Sequence, residues 1–189
     1  CCLLFGSTNH GLKLTALCLI LTTKTFLYCY RSMSKVYTIH TEQFIPISLT
    51  EAWDFFSSPA NLAKITPAKM GFNIVSKFHG EKMYPGQIIE YTVKPVLNIP
   101  LYWMTEITHV VEGAYFVDEQ RFGPYTMWHH QHHFKAVTGG VKMDDIVHYK
   151  IPMGFLGDMA QVLFVKKQLQ DIFDFRFKAV EAKWGTYKP

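Results

Sequence analysis

The chain has 189 residues, of which 49% are hydrophobic and 18% charged, and this length suits one domain that buries its core without staples. The first 32 residues hold three of the 19 basic side chains, none of the 15 acidic ones and all four cysteines. The remainder is nearly neutral and lacks cysteine, which argues against a nucleic-acid partner, a disulfide framework and a thiolate metal site. We therefore expect a cytoplasmic protein.

The opening segment differs from the rest of the chain. Met33 is the first methionine and is followed at once by a strand-like run. We predict that residues 1–32 form a leader, disordered or upstream of a natural start at Met33, and that residues 33–189 form the folded domain. A targeting segment is the competing interpretation because Leu14–Leu21 is apolar. No small-residue cleavage site follows it, and it is shorter than the roughly 20 residues that span a bilayer, so we expect no stable membrane insertion.

The folded part begins with one strand and two short helices. Val36–Ile47 is rich in β-branched and aromatic residues, which predicts a strand. Ser48 and Glu51 form a capping box that predicts a helix start. A second helix is predicted to begin at Pro59 and to end before Pro67.

Alternating apolar residues and turn signals then predict six further strands. Their segments are Phe72–Phe78, Ile89–Val93, Leu101–Val111, Tyr115–Arg121, Thr126–Val137 and Val141–Ile151. A long helix follows, with Asp158 as its predicted N-cap and Gly185 after its end. Apolar residues at spacings of three and four form one face of this helix: Val162, Val165, Leu169, Phe173, Phe177, Val180 and Trp184.

This order of elements predicts an α+β protein of the helix-grip type. Seven antiparallel strands would form a sheet curved around the long C-terminal helix, with the two short helices after strand 1. The paired short helices and the long terminal helix argue against a cupin barrel, which is the nearest rival architecture. A sheet curved around a helix commonly leaves a cleft, and such clefts are the usual place for a small ligand.

Four of the nine histidines lie within five positions of the segment Asp118–Phe134. We predict that Gly139 and Gly140 form the two-residue turn of the hairpin that follows. That register makes four pairs: Phe134 with Asp145, His132 with Val147, His130 with Tyr149, and Trp128 with Ile151. These side chains then share the inward face of the sheet, whereas the alternate positions are nearly all polar and face water.

The predicted inward face is apolar except for His130, His132, Asp145 and Tyr149. The two histidines with Asp145 could form a two-histidine, one-carboxylate metal site. Alternatively, His132 and Asp145 could act as a general acid–base pair, although no recognisable nucleophile accompanies them. Buried histidines are usually satisfied by hydrogen bonds, which Asp145 and Tyr149 can supply. We therefore predict a polar network that orients a ligand, without a metal or another cofactor.

Four stretches of the sequence carry a family resemblance: AWDFFSSPANLAKITP at 52–67, WMTEIT at 103–108, DEQRFGPYTMWHH at 118–130 and DIVHYKIP at 145–152. Together with the order of elements, they resemble the SRPBCC superfamily, and within it the small bacterial ligand-binding proteins described as cell-division-inhibitor-like or cyclase/dehydrase-like. The superfamily also includes START lipid carriers, the major birch pollen allergen and polyketide cyclases. The resemblance covers roughly residues 36–184.

The resemblance implies a deep, mostly apolar cavity between the sheet and the C-terminal helix. We predict that the cavity binds a small hydrophobic or amphipathic molecule, such as a lipid, an isoprenoid or a polyketide-like compound. A cofactor-free cyclase or dehydratase that uses the His/Asp/Tyr cluster is the alternative, and a protein-interaction module is the third interpretation. Fold alone does not decide among these functions. The predicted ligand contacts are Trp103, Glu106, Trp128, His130, His132, Phe134, Asp145 and Tyr149.

Overall fold

The computed structural model describes residues 35–77, 82–94, 99–153 and 155–189. The strands are β1 (Tyr37–Ile45), β2 (Asn73–Ile74), β3 (Gln87–Val93), β4 (Leu101–Val111), β5 (Tyr115–Phe122), β6 (Met127–Val137) and β7 (Gly140–Lys150). The α-helices are α1 (Leu49–Phe56), α2 (Phe155–Ala160) and α3 (Lys166–Trp184), with a π-helical turn at Gln161–Val165 between the last two. The predicted leader, residues 1–32, and Phe78 of the predicted second strand lie outside the described residues.

The seven strands form one antiparallel sheet in the order β1-β7-β6-β5-β4-β3-β2. From β2 to β7, strands that are consecutive in the chain are also neighbours in the sheet. Strand β1 pairs with β7 and forms the edge opposite β2. The long C-terminal helix packs against this sheet, as predicted. Within the described part of the chain, no helix combines the length and the apolar character needed to cross a membrane.

Helix α1 begins where the sequence predicts, and its buried side chains form part of the main hydrophobic core. The Ser48 hydroxyl accepts a hydrogen bond of 3.2 Å from the backbone N–H of Glu51, which satisfies a donor that the helix leaves free. Trp53 packs edge-on against Phe134 of β6, with ring centroids 5.7 Å apart. The second predicted helix is present at Pro59–Ile65, but it is a 3₁₀-helix.

The C-terminal helix differs from its prediction in two ways. It begins at Phe155, so Asp158 lies inside α2 and is not the N-cap. Its inward face carries Arg176, with a side chain only 12% exposed, whereas Phe177 is 42% exposed. The reason is geometric. Residue 176 lies on the same side of the helix as the buried Leu169 and Phe173, and residue 177 is rotated a further 100° away from that side.

The hairpin between β6 and β7 has a register different from the predicted one. Val137 pairs with Gly140, so the two-residue turn consists of Thr138 and Gly139, and Gly139 adopts a left-handed φ of 77°. The predicted pairs are therefore wrong by two residues, and Asp145 lies directly opposite His132 instead of Phe134. Because side chains alternate with a period of two, an even shift leaves every residue on its predicted face. The predicted inward face is confirmed by the burial of alternate residues along both strands.

Candidate functional site: a cavity with a polar wall

A cavity of about 180 Å³ lies between the sheet and α3. Most of its wall is apolar or aromatic. Tyr91, Trp103 and Trp128 line it from the sheet, and Leu169, Ile172 and Phe173 line it from the helix. Trp103 and Trp128 meet edge-on at 5.4 Å between ring centroids. The cavity can therefore surround an apolar group with aromatic rings.

One wall of the cavity is polar. Asp118 on β5, His130 and His132 on β6, and Arg176 on α3 all reach the cavity, and Asp145 on β7 lies behind the imidazoles. The sheet register brings them together, because Asp118 pairs with His130 and Asp145 pairs with His132. We call these five residues the polar cluster. Its two imidazoles lie 3.7 Å apart, measured between ring centroids.

Each imidazole of the polar cluster lies between the two carboxylates. His130 Nε2 lies 3.0 Å from Asp145 Oδ1, and His130 Nδ1 lies 3.4 Å from Asp118 Oδ2. His132 Nε2 lies 3.0 Å from Asp118 Oδ2. His132 Nδ1 approaches Asp145 Oδ1 to 2.6 Å without hydrogen-bond geometry, so this contact is electrostatic. Both carboxylates therefore touch both histidines.

Arg176 completes the charge balance of the polar cluster. Its Nη1 lies 3.5 Å from Asp145 Oδ2, and its guanidinium lies over the ring of Phe173, 5.2 Å from the centroid. Burial alone would raise the pKa of the Asp145 carboxyl, but the imidazoles and Arg176 outweigh burial and hold that pKa well below its usual range. At Asp118, too, burial would raise the pKa of the carboxyl, but the two imidazoles and Arg176 outweigh burial and lower it. Both acids are therefore carboxylates at neutral pH.

The pKa values of the two histidines of the cluster are shifted in opposite directions. Burial and the neighbouring charge of His132 lower the pKa of His130 against the pull of the carboxylates. Burial would also lower the pKa of His132, but Asp145 and Asp118 outweigh it and raise that pKa. Of the two imidazoles, His132 therefore holds a proton more readily than His130. The carboxylates of Asp118 and Asp145 face these imidazoles and Arg176.

The structure brings together only part of the residue set predicted from the sequence. Trp103, Trp128, His130 and His132 line the cavity. Asp145 stands behind the histidines, and Tyr149 is 1% exposed beside Trp128 and Tyr125. Phe134 packs in the main core with Trp53 and Phe56. Glu106 occupies the alternate face of β4, where its Oε2 lies 2.6 Å from Arg121 Nε.

Two residues of the polar cluster were missed from the sequence. Arg176 was detectable, because its spacing from Leu169 and Phe173 places it on the apolar helix face, where a single cation needs a buried partner. Asp118 carried no comparable signal. Asp118 lies opposite His130 because of the register between β5 and β6. The connection between these strands, 123–126, is four residues long and does not determine that register from the sequence.

The aromatic wall contains two tyrosines with strongly shifted titration. Burial, and to a smaller extent Asp118, raises the pKa of Tyr91, whose hydroxyl lies 3.0 Å from Thr105 Oγ1. Burial and the neighbouring Tyr149 raise the pKa of Tyr125. Both hydroxyl groups therefore stay neutral while the protein is folded.

We expect the protein to lose stability steeply above about pH 10, the ordinary tyrosine pKa. The folded-state pKa values lie above the unfolded ones, so the folded chain holds more protons there, and stability present below pH 10 is lost as the pH rises. Urea unfolding between pH 8 and 11.5 measures this effect. Tyr91→Phe should flatten the alkaline decline, whereas Tyr84→Phe, which changes an exposed ring, is the control. An identical decline in both variants would contradict the assignment.

Similar folds are found in solved structures. The protein TTHA0849 from Thermus thermophilus superposes with a TM-score of 0.62 at 13% identity, covering 78% of this chain and 96% of that one. Major latex-like protein 151 from Panax ginseng gives 0.58 at 13% identity, covering 79% and 97%. Norcoclaurine synthase from Thalictrum flavum gives 0.56 at 17% identity, covering 79% and 97%. No protein-family model and no curated protein sequence matches the chain.

The protein therefore has the helix-grip fold shared by the SRPBCC proteins, and the resemblance seen in the sequence is confirmed at the level of the fold. At identities of 13–17%, the similarity establishes the fold only. The ligand and the chemistry must be inferred from the site itself.

Proposed function

We propose that the protein binds a small amphipathic molecule in the cavity, with the apolar body against the aromatic wall and a polar head at the polar cluster. The observation that carries this proposal is the division of the wall: rings and aliphatic chains on most sides, and Asp118, His130, His132 and Arg176 gathered at one place. Binding sites for small molecules commonly combine an apolar lining with a few converging polar groups.

The size of the cavity supports a compact ligand. An apolar cavity of about 150 Å³ holds a benzene molecule, so the about 180 Å³ found here accommodates a ring or a short branched chain without rearrangement. Lipid, isoprenoid and polyketide-like compounds supply such groups. The carboxylates of the cluster already have Arg176 and the imidazoles as partners, which favours a neutral head such as a hydroxyl or a carbonyl over an ionised one.

Displacement of a fluorescent hydrophobic probe tests this proposal. We expect a single probe site whose dissociation constant rises at least tenfold in Ile172→Trp, because the larger ring fills the cavity. Phe175→Trp, on the exposed side of the same helix, should bind the probe as the wild type does. Native mass spectrometry of freshly purified protein identifies a copurified ligand by mass, and conversion of that ligand would indicate the cyclase or dehydratase alternative.

A further control addresses exposed apolar residues outside the cavity. Leu163 and Phe164 are 60% and 69% exposed at the π-helical turn, and such residues are what a protein-interaction role would use. Phe164→Ser should leave the probe affinity unchanged. Loss of the probe in Phe164→Ser together with full affinity in Ile172→Trp would overturn the cavity proposal.

A further inference from the structure

Three residues of the polar cluster present potential metal ligands. Asp118, His130 and His132 each offer one ligand atom, and these atoms lie within 4.8 Å of one another. All three residues line the cavity. Nitrogen and carboxylate ligands in this number suit divalent ions such as zinc, iron and cobalt better than magnesium or calcium.

Two of the three spacings between the ligand atoms match those around a single ion. Bonds of about 2.0–2.2 Å from a metal to nitrogen and oxygen place neighbouring ligands roughly 3.0–3.5 Å apart. Asp118 Oδ2 lies 3.0 Å from His132 Nε2 and 3.4 Å from His130 Nδ1.

The opposite nitrogens of the two imidazoles turn toward a second carboxylate. His130 Nε2 lies 3.0 Å and His132 Nδ1 lies 2.6 Å from the same oxygen, Asp145 Oδ1. In metal sites, a ligating histidine usually donates its other N–H to a carboxylate or carbonyl, which fixes the ring and the tautomer. Asp145 accepts this hydrogen bond from His130 and lies against His132 Nδ1 as an electrostatic contact, and Arg176 contacts its remaining oxygen at 3.5 Å.

We propose that Asp118, His130 and His132 bind one divalent first-row transition-metal ion at the wall of the cavity. Three protein ligands leave further coordination positions open, and all three ligand residues line the space that a small molecule would occupy. The metal site does not depend on the proposed function. Where both hold, an oxygen atom of the ligand's head group can reach the ion.

Titration of chelator-treated full-length protein with Co²⁺ and Zn²⁺ tests this site, with visible absorption and calorimetry as readouts. We expect one ion per chain. His132→Gln and Asp118→Asn should each weaken binding by more than 100-fold, and Asp145→Asn by about 10- to 100-fold because it removes the support of the rings. The double variant His129→Gln and His133→Gln changes the other face of β6 and should bind as the wild type does.

Wild-type crystals grown with Zn²⁺ locate the ion by anomalous scattering, so the test does not depend on whether the variants fold. Density between Asp118, His130 and His132 is the expected result. Absence of bound ion in the wild type, or binding that is lost only in the outer-face double variant, would overturn the metal site. Probe binding to chelator-treated protein is measured separately, so failure of the metal site and failure of the ligand cavity are distinguishable.

Discussion

Replacement of Asp145 by alanine is expected to lower the free energy of unfolding by about 3–5 kcal/mol, the usual cost of removing one partner from a buried ion pair. The Asp145 side chain is 7% exposed and contacts both imidazoles and Arg176. Without it, the Arg176 guanidinium and the two imidazoles keep only Asp118 as a carboxylate partner within the cluster. Urea unfolding of chelator-treated protein at neutral pH measures the loss.

The neighbouring residue supplies the matched control. Asp144 lies on the outer face of β7, and its Oδ1 is 3.1 Å from His40 Nε2, whose side chain is 56% exposed. Contacts of this kind contribute about 0–1 kcal/mol, so Asp144→Ala should cost little. Equal losses in the two variants would show that the polar cluster is not an interdependent set of buried charges.

Gly140→Ala is expected to cost about 3 kcal/mol or more, at the upper end of the range for overpacked sites. A Cβ atom at this position would lie 2.2 Å from the backbone oxygen of Ile45. Backbone atoms cannot move aside as the end of a side chain can, so β1 would have to separate from the start of β7. Thermal and urea unfolding both measure the effect.

Gly86→Ala distinguishes steric overlap from the general cost of replacing a glycine. Gly86 has a left-handed φ of 88°, but nothing lies within 4 Å of an added Cβ. This variant should lose only about 1–2 kcal/mol, the cost of left-handed backbone for a residue with a side chain. A Gly140→Ala protein as stable as Gly86→Ala would mean that β1 does not approach β7 as closely as the structure places it.

Local patterns determined the order of elements and most of their boundaries to within two residues. The strand Leu101–Val111 was predicted to the residue, because turn signals border it on both sides in the sequence, at Asn98–Pro100 and at Glu112–Gly113. The start of α1 followed from Ser48 and Glu51, whose hydrogen bond needs only neighbouring residues. These features depend on interactions within a few positions of the chain, which a sequence displays directly.

The two glycines of the β6–β7 hairpin differ in how well local sequence patterns explain them. Both were assigned to the turn, but only Gly139 has the left-handed conformation that a tight turn uses. Gly140 is small for another reason, the close approach of β1, which is almost 100 residues away in the chain. The assignment of faces survived because the resulting error was an even number of residues.

The sequence by itself determined that His130 and His132 face inward on a strand, because alternation is a property of the strand alone. Only the tertiary structure decided which charges meet them. Asp118 reaches the histidines through the pairing of β5 with β6, Asp145 through β7, and Arg176 through the packing of α3 on the sheet. These contacts balance a buried charge by combining four elements, and the energy that selects them appears only when all four are in place.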